Sequence, residues 1–364
     1  MRPHKAHICV ILMMICFLSS QGQGLYSVTF PKPAATASDT TELLIVGDVM
    51  MHARQLEFDH RLFLSEVAGA MRGADICAAN MEFSLAGEPY SGYPSFSAPD
   101  SYAEYLADEC GVDLFLLANN HVLDKGIPGL ERTLERYEEL GRKYGTAYTG
   151  AASDREDDFR RNPLILRRGH LKLAFLNFSY GSNRPQGKEY PRLILRERED
   201  IRERIRSARK QGADFIIALP HWGVEYSLEH SSVQQEWAEL LVSEGVDLIV
   251  GSHPHVVQDS CHIKGVPVIY STGNFISNMS AVNTRLGMAV RVKFICRRNG
   301  EEKHMLEPEL EFSWCSLPGL LSDNYKTIWI KEWATRKSEW LTPYDFENMI
   351  ATYNRVSQAT GIGR

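Results

Sequence analysis

Residues 41–48 read TELLIVGD, an apolar run that ends in Gly-Asp, and residues 246–255, VDLIVGSHPH, repeat this design. A short apolar run bounded by turn residues is typical of a strand buried on both faces. Between such runs lie stretches with helical spacing, such as residues 127–141, with proline near the start and glycine at the end. This alternation predicts an α/β fold with a mostly parallel sheet. Alternating residues in 287–298 and 305–315 predict antiparallel strands of a second sheet.

Polar side chains that can bind metals directly follow the predicted strands. In chain order they are Asp48, Asn80, Glu82, Asn119, Asn120, His121, Asp124, His221, His253, His255 and Asn274. Because ligands of an open α/β sheet bind beyond the carboxyl ends of its strands, we expect these side chains to meet at one edge. Histidines, carboxylates and an amide without cysteine suit one or two divalent ions of the Mn, Fe, Zn or Mg kind.

Each of these residues also has a purely structural interpretation. A histidine after a strand can be a satisfied core residue, Asp48 can cap a helix and Asn80 can shape a turn. These interpretations are reasonable one by one, but several separate strands carry such residues in the same position, which favours a shared site. Asp124 and Glu225 are near enough in sequence to orient ligating histidines. His52 lacks a clear strand-end position and is expected at the surface.

Six short motifs follow one another along the chain. They are GDVM at 47–50, NMEFSLAG at 80–87, NNHVLDKG at 119–126, HWGVEY at 221–226, GSHPHVVQ at 251–258 and YSTGNF at 270–275. The residues of these motifs and their order resemble those of the CapA-type proteins of poly-γ-glutamate capsule synthesis, over roughly residues 42–280. That family is similar to the calcineurin-like metallophosphoesterases, so the resemblance implies a four-layer α/β/β/α sandwich with metal ions at the strand ends. Six ordered motifs are far more specific than one glycine-rich loop.

The resemblance also implies roles for individual residues. The implied metal ligands are Asp48, Glu82, Asn120, His221, His253 and His255. The implied catalytic residue is His121, which would contact the substrate or protonate the leaving group. Asp124 is predicted from its position in the sequence to be the second catalytic residue.

The sequence departs from the phosphoesterase pattern in two places. That pattern begins Asp-x-His, whereas Met50 stands where the histidine is expected. The bridging position holds Glu82 in an Asn-x-Glu setting instead of an aspartate. One metal position therefore lacks a ligand unless His52 or another group supplies it, and a single-metal site or a changed reaction remains open.

The chain divides into four predicted segments. Residues 1–24 have a basic start, an apolar run of about 11 residues and then small residues, as expected of a cleaved signal peptide. This predicts export to the periplasm, the cell surface or the medium, with an N-terminal membrane anchor as the alternative and otherwise only peripheral membrane contact. Residues 25–41 are predicted to be a linker, 42–317 the CapA-like domain and 318–364 a C-terminal extension that packs on the domain.

Charge and cysteines limit the partners and the covalent framework. The formal net charge is −6, and the predicted signal contains basic but no acidic residues, so the mature chain is more acidic still. A negative surface disfavours nucleic acid as a partner, and an anionic polymer would need a local positive site, which a metal could supply. The cysteines form no CxxC pair. Cys77 and Cys296 are expected to be buried thiols, and one disulfide between Cys296 and Cys315 is left open.

Three functions are compatible with these observations. The first is an exported metal-dependent hydrolase-like protein that acts in the synthesis, export or anchoring of an anionic cell-surface polymer of the poly-γ-glutamate type. The second is a non-catalytic accessory that binds the polymer or its synthase complex at the cell envelope. The third is a secreted phosphodiesterase unrelated to a capsule. Fold alone does not distinguish them.

Overall fold

The computed structural model describes residues 28–29, 40–297 and 300–362, and the predicted signal peptide, residues 1–24, lies outside them. Its strands are β1 (Val28–Thr29), β2 (Thr40–Val49), β3 (Ile76–Met81), β4 (Leu114–Leu116), β5 (Ala147–Thr149), β6 (Ala151–Ala152), β7 (Leu164–Arg168), β8 (Leu171–Ser179), β9 (Arg192–Leu193), β10 (Phe215–His221), β11 (Leu248–Val250), β12 (Ser260–Ile263), β13 (Val266–Ile269), β14 (Asn274–Ile276), β15 (Leu286–Arg297), β16 (Glu302–Met305), β17 (Glu309–Ser316) and β18 (Lys326–Trp329). Its α-helices are α1 (Ala68–Gly73), α2 (Asp100–Asp108), α3 (Gly126–Tyr144), α4 (Arg155–Arg161), α5 (Arg198–Lys210), α6 (Ser232–Ser243), α7 (Val282–Arg285), α8 (Ile330–Trp333) and α9 (Pro343–Thr360). Short 3-10 helices span Ala53–Glu57, His60–Leu62 and Lys337–Glu339.

Two large sheets contain most of these strands. The first sheet has the order β18-β17-β15-β2-β3-β4-β5, with β14 beside β2 and β16 beside β15. The second sheet has the order β1-β7-β8-β10-β11-β13-β12. Strands β2 to β5 run parallel, as do β8, β10, β11 and β13. Strands β15, β17 and β18 add antiparallel pairs. The predicted parallel α/β pattern with late antiparallel strands is therefore confirmed.

Alternate residues of β2 face two different cores. Leu43 and Ile45 enter the core between the two sheets, whereas Leu44 and Val46 pack towards α1, α2 and α3. The outer face of the second sheet packs against α5 and α6, for example through Ile205. The layers are thus helices, sheet, sheet and helices. This arrangement confirms the four-layer α/β/β/α sandwich.

Gly47 fixes the end of β2 against the loop before β14. A Cβ atom at Gly47 would lie 2.1 Å from the carbonyl oxygen of Gly273, so no other residue fits there without a backbone shift. The backbone N–H of Asp48 donates a hydrogen bond to the same carbonyl oxygen at 2.9 Å. The backbone position of Asp48 is therefore set by this close approach.

The residues after position 317 pack on the sandwich. Strand β18 pairs with β17 at the edge of the first sheet, and Met349 and Val356 of α9 enter the core between the sheets. Helix α9 begins with Pro343 and ends at Thr360, and it is followed by Gly361, whose left-handed φ of 73° is typical of a helix end.

A buried ion pair joins α9 to the first sheet. Arg285, at the end of α7, donates two parallel hydrogen bonds to Asp345, at 2.6 and 2.7 Å. Its Nε donates to the carbonyl oxygen of Cys315 at 2.9 Å. Its guanidinium carbon lies 4.4 Å from the centre of the Trp314 ring, and Trp314 Nε1 donates to Asp345 at 3.4 Å. Each guanidinium nitrogen therefore has an acceptor.

Three local expectations differ from the structure. Residues 58–74 have helical spacing but form turns, a 3-10 helix and the six-residue α1. A continuous helix is interrupted because the Phe63 carbonyl accepts the N–H of Thr327 at 2.8 Å. The disulfide left open does not form, since Cys315 lies beside the start of β15 and Cys296 near its end, on the order of 35 Å away. Cys296 is half-buried rather than buried.

Only part of the predicted linker lies within the described residues. Within residues 25–41 the structure describes β1, which pairs in parallel with β7, and the first residues of β2. Among the described helices, none combines the length and apolarity that a membrane crossing needs.

Candidate metal centre

The predicted site residues meet at the carboxyl ends of the strands. Asp48 lies at the end of β2, Glu82 follows β3 and His221 ends β10. The eight side chains predicted as ligands or catalytic groups are all buried: Asp48, Glu82, Asn120, His121, Asp124, His221, His253 and His255. The contacts that follow join them into one cluster, termed the centre.

Asp48 connects the first sheet to the loop after β11. Its Oδ1 accepts a hydrogen bond from Nδ2 of Asn80 at 2.7 Å, and its Oδ2 accepts the backbone N–H of His253 at 3.3 Å. Nδ1 of His255 lies 3.6 Å from the same Oδ2. Asp48 therefore contacts residues that follow strands of both sheets, and it lies where a ligand would bind at the strand ends.

Glu82 is fully buried and has unsatisfied oxygens. Neither carboxylate oxygen has a hydrogen-bond partner in the part of the chain that the structure describes. Nε2 of His255 lies 3.5 Å from Oε1, and Nε2 of His121 lies 4.0 Å from it. Burial raises the pKa of Glu82 well above its usual range, and the nearby Asp48 carboxylate adds to this, although His255 opposes it.

His255 is held by a second residue and faces Glu82. Its Nδ1 lies 2.9 Å from Oδ1 of Asn274, whose Nδ2 donates to the carbonyl oxygen of Thr284 at 3.0 Å. Burial alone would lower the pKa of His255, but the Glu82 and Asp48 carboxylates outweigh it and raise this pKa to about 9. One proton between the imidazole and Glu82 therefore neutralises the pair when no cation is bound.

His221 and His253 are neutral imidazoles beside this pair. His221 Nε2 lies 2.8 Å from Oδ1 of Asn120, and its Nδ1 lies 2.9 Å from Oγ of Ser252. Burial and the neighbouring His253 lower the pKa of His221 well below its usual value. Burial and His255 lower the pKa of His253 to about 3. Neutral imidazole is the form that binds metals.

His121 and Asp124 form a hydrogen-bonded dyad at the edge of the centre. Nδ1 of His121 lies 2.7 Å from Oδ2 of Asp124, which also accepts the backbone N–H of Phe96 at 2.8 Å. The Phe96 ring packs edge-on against the imidazole, with 4.7 Å between the ring centres. The imidazole is therefore oriented with Nε2 towards Glu82.

Three sets of side chains each bring three possible ligand atoms within 4.8 Å of one another. They are Asp48–Glu82–His255, Glu82–His221–His253 and Glu225–His253–His255. The first two share Glu82, which stands in the bridging position that the resemblance implies. Both Glu82 oxygens and Nδ1 of His253 are buried without partners among the described residues. A divalent cation would satisfy these atoms, so the donor set fits a metal ion.

Backbone strain is concentrated at this centre. Among the described residues, four that are not glycine have a positive φ: Tyr226 (67°), His253 (99°), His255 (58°) and Lys264 (51°). Three of these four lie at the centre, and the Tyr226 ring is 6.1 Å from that of His255. Such conformations persist where the surroundings enforce them, which is common at functional sites.

The loop after β8 contains site residues that the sequence analysis did not identify. Nδ2 of Asn183 lies 3.2 Å from Nδ1 of His121, and Nδ2 of Asn120 donates to Oδ1 of Asn183 at 3.3 Å. The Tyr180 ring covers His253, with 4.5 Å between ring centres. These residues also follow a strand, but the alternation in residues 163–179 predicts a β-hairpin and gives no signal that the end of β8 lies beside the centre.

His52 is not at the surface as expected. Its ring packs edge-on against Phe96 at 5.1 Å, and its Nε2 is buried without a hydrogen-bond partner in the described chain. It belongs to none of the three ligand sets.

The four layers and the order of the strand-end residues define the calcineurin-like metallophosphoesterase fold, with a buried centre of acids and imidazoles. The chain belongs to the family described as "Bacterial capsule synthesis protein PGA_cap", whose sequence model matches residues 42–279.

Two named relatives are similar to this chain in sequence. The chain is 27% identical over 273 residues to "Capsule biosynthesis protein CapA" of Bacillus anthracis, covering 71% of this chain and 64% of that protein. It is 25% identical over 298 residues to "PGA biosynthesis protein CapA" of Bacillus subtilis (strain 168), covering 76% and 73%. The chain thus spans less than two thirds of the length of the Bacillus anthracis relative.

Two solved structures show partial similarity to this chain. The calcineurin-like phosphoesterase YfkN of Bacillus subtilis has a TM-score of 0.45 at 15% identity, over 75% of this chain and 90% of that chain. A 5'-nucleotidase precursor from Thermus thermophilus has a TM-score of 0.44 at 11% identity, over 88% and 59%.

Proposed function

We propose that this chain is a metal-dependent hydrolase that acts outside the cytoplasm in the synthesis, export or anchoring of an anionic capsule polymer of the poly-γ-glutamate type. One observation carries the catalytic part. Glu82 is fully buried, its oxygens lack hydrogen-bond partners within the described chain, and it faces nitrogens of His255 and His121. Burying such a carboxylate costs on the order of several kcal/mol. A buried carboxylate without hydrogen bonds therefore indicates a ligand that would compensate this cost. Family membership supports the capsule part.

The proposed cofactor is one or two divalent ions of the Mn, Fe, Zn or Mg kind. The residues that would hold them are Asp48, Glu82, Asn120, His221, His253 and His255. A bound ion would polarise a phosphoryl or carbonyl oxygen and lower the pKa of a bound water towards neutrality.

His121 is placed to transfer a proton to the leaving group. Since the Asp124 carboxylate accepts the hydrogen bond from Nδ1, Nε2 is the nitrogen directed at the centre. When protonated, Nε2 would donate its proton to the leaving oxygen or nitrogen as the bond to phosphorus or carbon breaks. Asp124 acts here as a positioning residue that orients the imidazole.

The proposed substrate or partner is an anionic polymer or its synthase complex at the cell envelope. The chain has a formal net charge of −6, so its surface as a whole does not attract a polyanion. A cation at the centre would supply the local positive charge that binds a carboxylate or phosphate of the polymer. The same net charge disfavours nucleic acid as the partner.

The test compares turnover and metal content in three variants of the purified chain. Asp48→Asn is expected to lose bound Mn²⁺ and turnover together, because Asp48 is a proposed ligand. His121→Asn is expected to keep the metal but lower kcat by about 10²- to 10⁴-fold on an artificial phosphodiester or a γ-glutamyl substrate. His262→Asn is the control, since His262 is exposed and paired with Glu307.

The outcome separates the hydrolase from the accessory protein. A metal-loaded wild type that binds the polymer but hydrolyses neither substrate would contradict the catalytic proposal and support the accessory function. Hydrolysis of the phosphodiester without any effect of the gene's deletion on capsule would instead support a phosphodiesterase unrelated to capsule.

A further inference from the structure

Glu225 is an exposed carboxylate beside two buried histidines of the centre. One of its oxygens and one nitrogen each of His253 and His255 lie within 4.8 Å of one another. Glu225 is exposed, whereas both imidazoles are buried, so this ligand set is on the solvent side of the centre. Among the members of the three sets, Glu225 is the residue that the sequence did not predict as a ligand.

The backbone around Glu225 is fixed to the loop that carries the histidines. On one side, Trp222 is fully buried, and its backbone N–H donates to the carbonyl oxygen of Ser252 at 3.0 Å. On the other side, the N–H of Tyr226 donates at 2.8 Å to the carbonyl oxygen of Pro254, the residue between His253 and His255. Tyr226 holds a left-handed φ of 67° to make this contact. The location of Glu225 next to the histidines is therefore enforced on both sides.

The segment after β2 does not replace the missing ligand of the phosphoesterase pattern. Met50 stands in the histidine position, is 1% exposed and packs in the core under α1 to α3. His52 packs against Phe96 and belongs to no ligand set of the described residues. A second cation would therefore need a donor from another loop.

We propose that Glu225 is that donor, and that it binds a second divalent cation together with His253 and His255 on the solvent side of the centre. The inference rests on the proposed metal dependence and adds a specific ligand to it. A carboxylate oxygen is a suitable donor for Mn²⁺, Mg²⁺ or Zn²⁺. Because the Nδ1 atom of His255 is bonded to Asn274, its one free nitrogen can bind a single cation, and the inner cation would then be held by Asp48, Glu82 and His221. The second position differs from this inner position in having an exposed ligand, so its cation exchanges more readily with solvent.

Two classes of cation site follow from this geometry. The inner class, with Glu82, is enclosed by buried groups, and the outer class, with Glu225, is open. An anionic substrate that enters from solvent would meet the outer cation first, which gives Glu225 an influence on substrate binding.

The experiment measures Mn²⁺ binding to the full chain by calorimetry and by metal analysis after gel filtration. Wild type is expected to bind two ions of different affinity. Glu225→Gln is expected to weaken one class by at least about tenfold and to leave the other unchanged. Glu229→Gln, an exposed acid on the same loop, is the matched control and is expected to behave like wild type. Electron paramagnetic resonance of the Mn²⁺-loaded chain provides a second readout, because a spin-coupled pair signal should vanish in Glu225→Gln.

The possible failures are distinguishable. A wild type that binds one ion, or a Glu225→Gln variant that keeps both classes, would overturn the role of Glu225 while leaving a metal-dependent function intact. A wild type that binds no divalent ion would overturn the proposed function as well.

Discussion

Two buried clusters of charged residues lie close to each other and differ in how their atoms are satisfied. At the Arg285–Asp345 pair, each guanidinium nitrogen has an acceptor and Asp345 receives three hydrogen bonds. At the centre, Glu82 is equally buried, but neither oxygen has a hydrogen-bond partner in the described chain. A buried ion pair whose atoms all have hydrogen-bond partners is complete without a ligand. Buried carboxylate oxygens without partners indicate instead a ligand that would satisfy them. The contrast separates a structural ion pair from a binding site.

The largest expected effect is on the structural ion pair. Asp345→Ala leaves Arg285 buried without its partner and should lower the free energy of unfolding by about 3–5 kcal/mol. Chemical denaturation of the metal-free chain measures this change. Glu347→Ala, which breaks the exposed pair with Lys337 on the same helix, should leave the denaturation midpoint unchanged. Equal effects of the two substitutions would remove the contrast.

Glu82 should behave differently. Glu82→Gln removes a buried carboxylate that only the neighbouring His255 offsets and no hydrogen bond stabilises, so the metal-free variant should lose much less stability than Asp345→Ala. Wild type should gain about 2.7 kcal/mol at a Mn²⁺ concentration one hundred times the Kd, and Glu82→Gln should gain none. Thermal unfolding with and without Mn²⁺ measures both quantities. A variant that is strongly destabilised without metal would show that Glu82 is structural.

The pH dependence should also distinguish the two clusters. The pKa of His255 is raised from 6.5 to about 9 in the folded chain, so its proton stabilises the metal-free protein below pH 6.5, and this stabilisation is lost as pH rises to 9. A cation must displace that proton, so Mn²⁺ affinity should rise by roughly tenfold per pH unit in this window. Titrations at pH 6.5 to 8.5 measure the affinity. A pH-independent Kd would contradict the shared proton of His255 and Glu82.

The smallest effect concerns backbone strain, which is present at the centre and not at Arg285 or Asp345. Tyr226→Gly should stabilise the metal-free chain by about 1 kcal/mol, because glycine adopts its φ of 67° without steric cost. Tyr344→Gly replaces an exposed tyrosine in the first turn of α9 and should destabilise by a similar amount. Opposite signs in denaturation experiments support the difference, and equal signs oppose it.

Much of the fold and the centre could be predicted because strand ends in a parallel sheet converge. Apolar runs before Asp48, Glu82 and His253 mark three such ends, and the family resemblance carried by the six motifs implies the four-layer sandwich. Local patterns could not predict contacts set by tertiary structure. The Phe63 carbonyl accepts the N–H of Thr327, and this contact interrupts the helix that the spacing of residues 58–74 favours. The pairing of Arg285 with Asp345 depends on where α9 docks.

The loop residues show the same limit. Asn183 reaches His121 only because β8 ends beside the centre, and its sequence neighbourhood shows no strand-end signal of the predicted kind. Glu225 was expected to orient a histidine, but the structure places it among possible ligands. Such roles depend on the distances between side chains of different loops, and the hydrophobic periodicity of the sequence gives no information about these distances.

The bond from Asn274 to Thr284 places the centre one residue away from Arg285, to which helix α9 is anchored. His255 is thus supported by a relay whose last member, Asp345, is synthesised well after the histidine itself. A nascent chain that still lacks α9 therefore lacks the last contact of this relay, the ion pair of Arg285 with Asp345. The proposed metal ion would accordingly meet a fully supported His255 only after α9 has been synthesised and has docked.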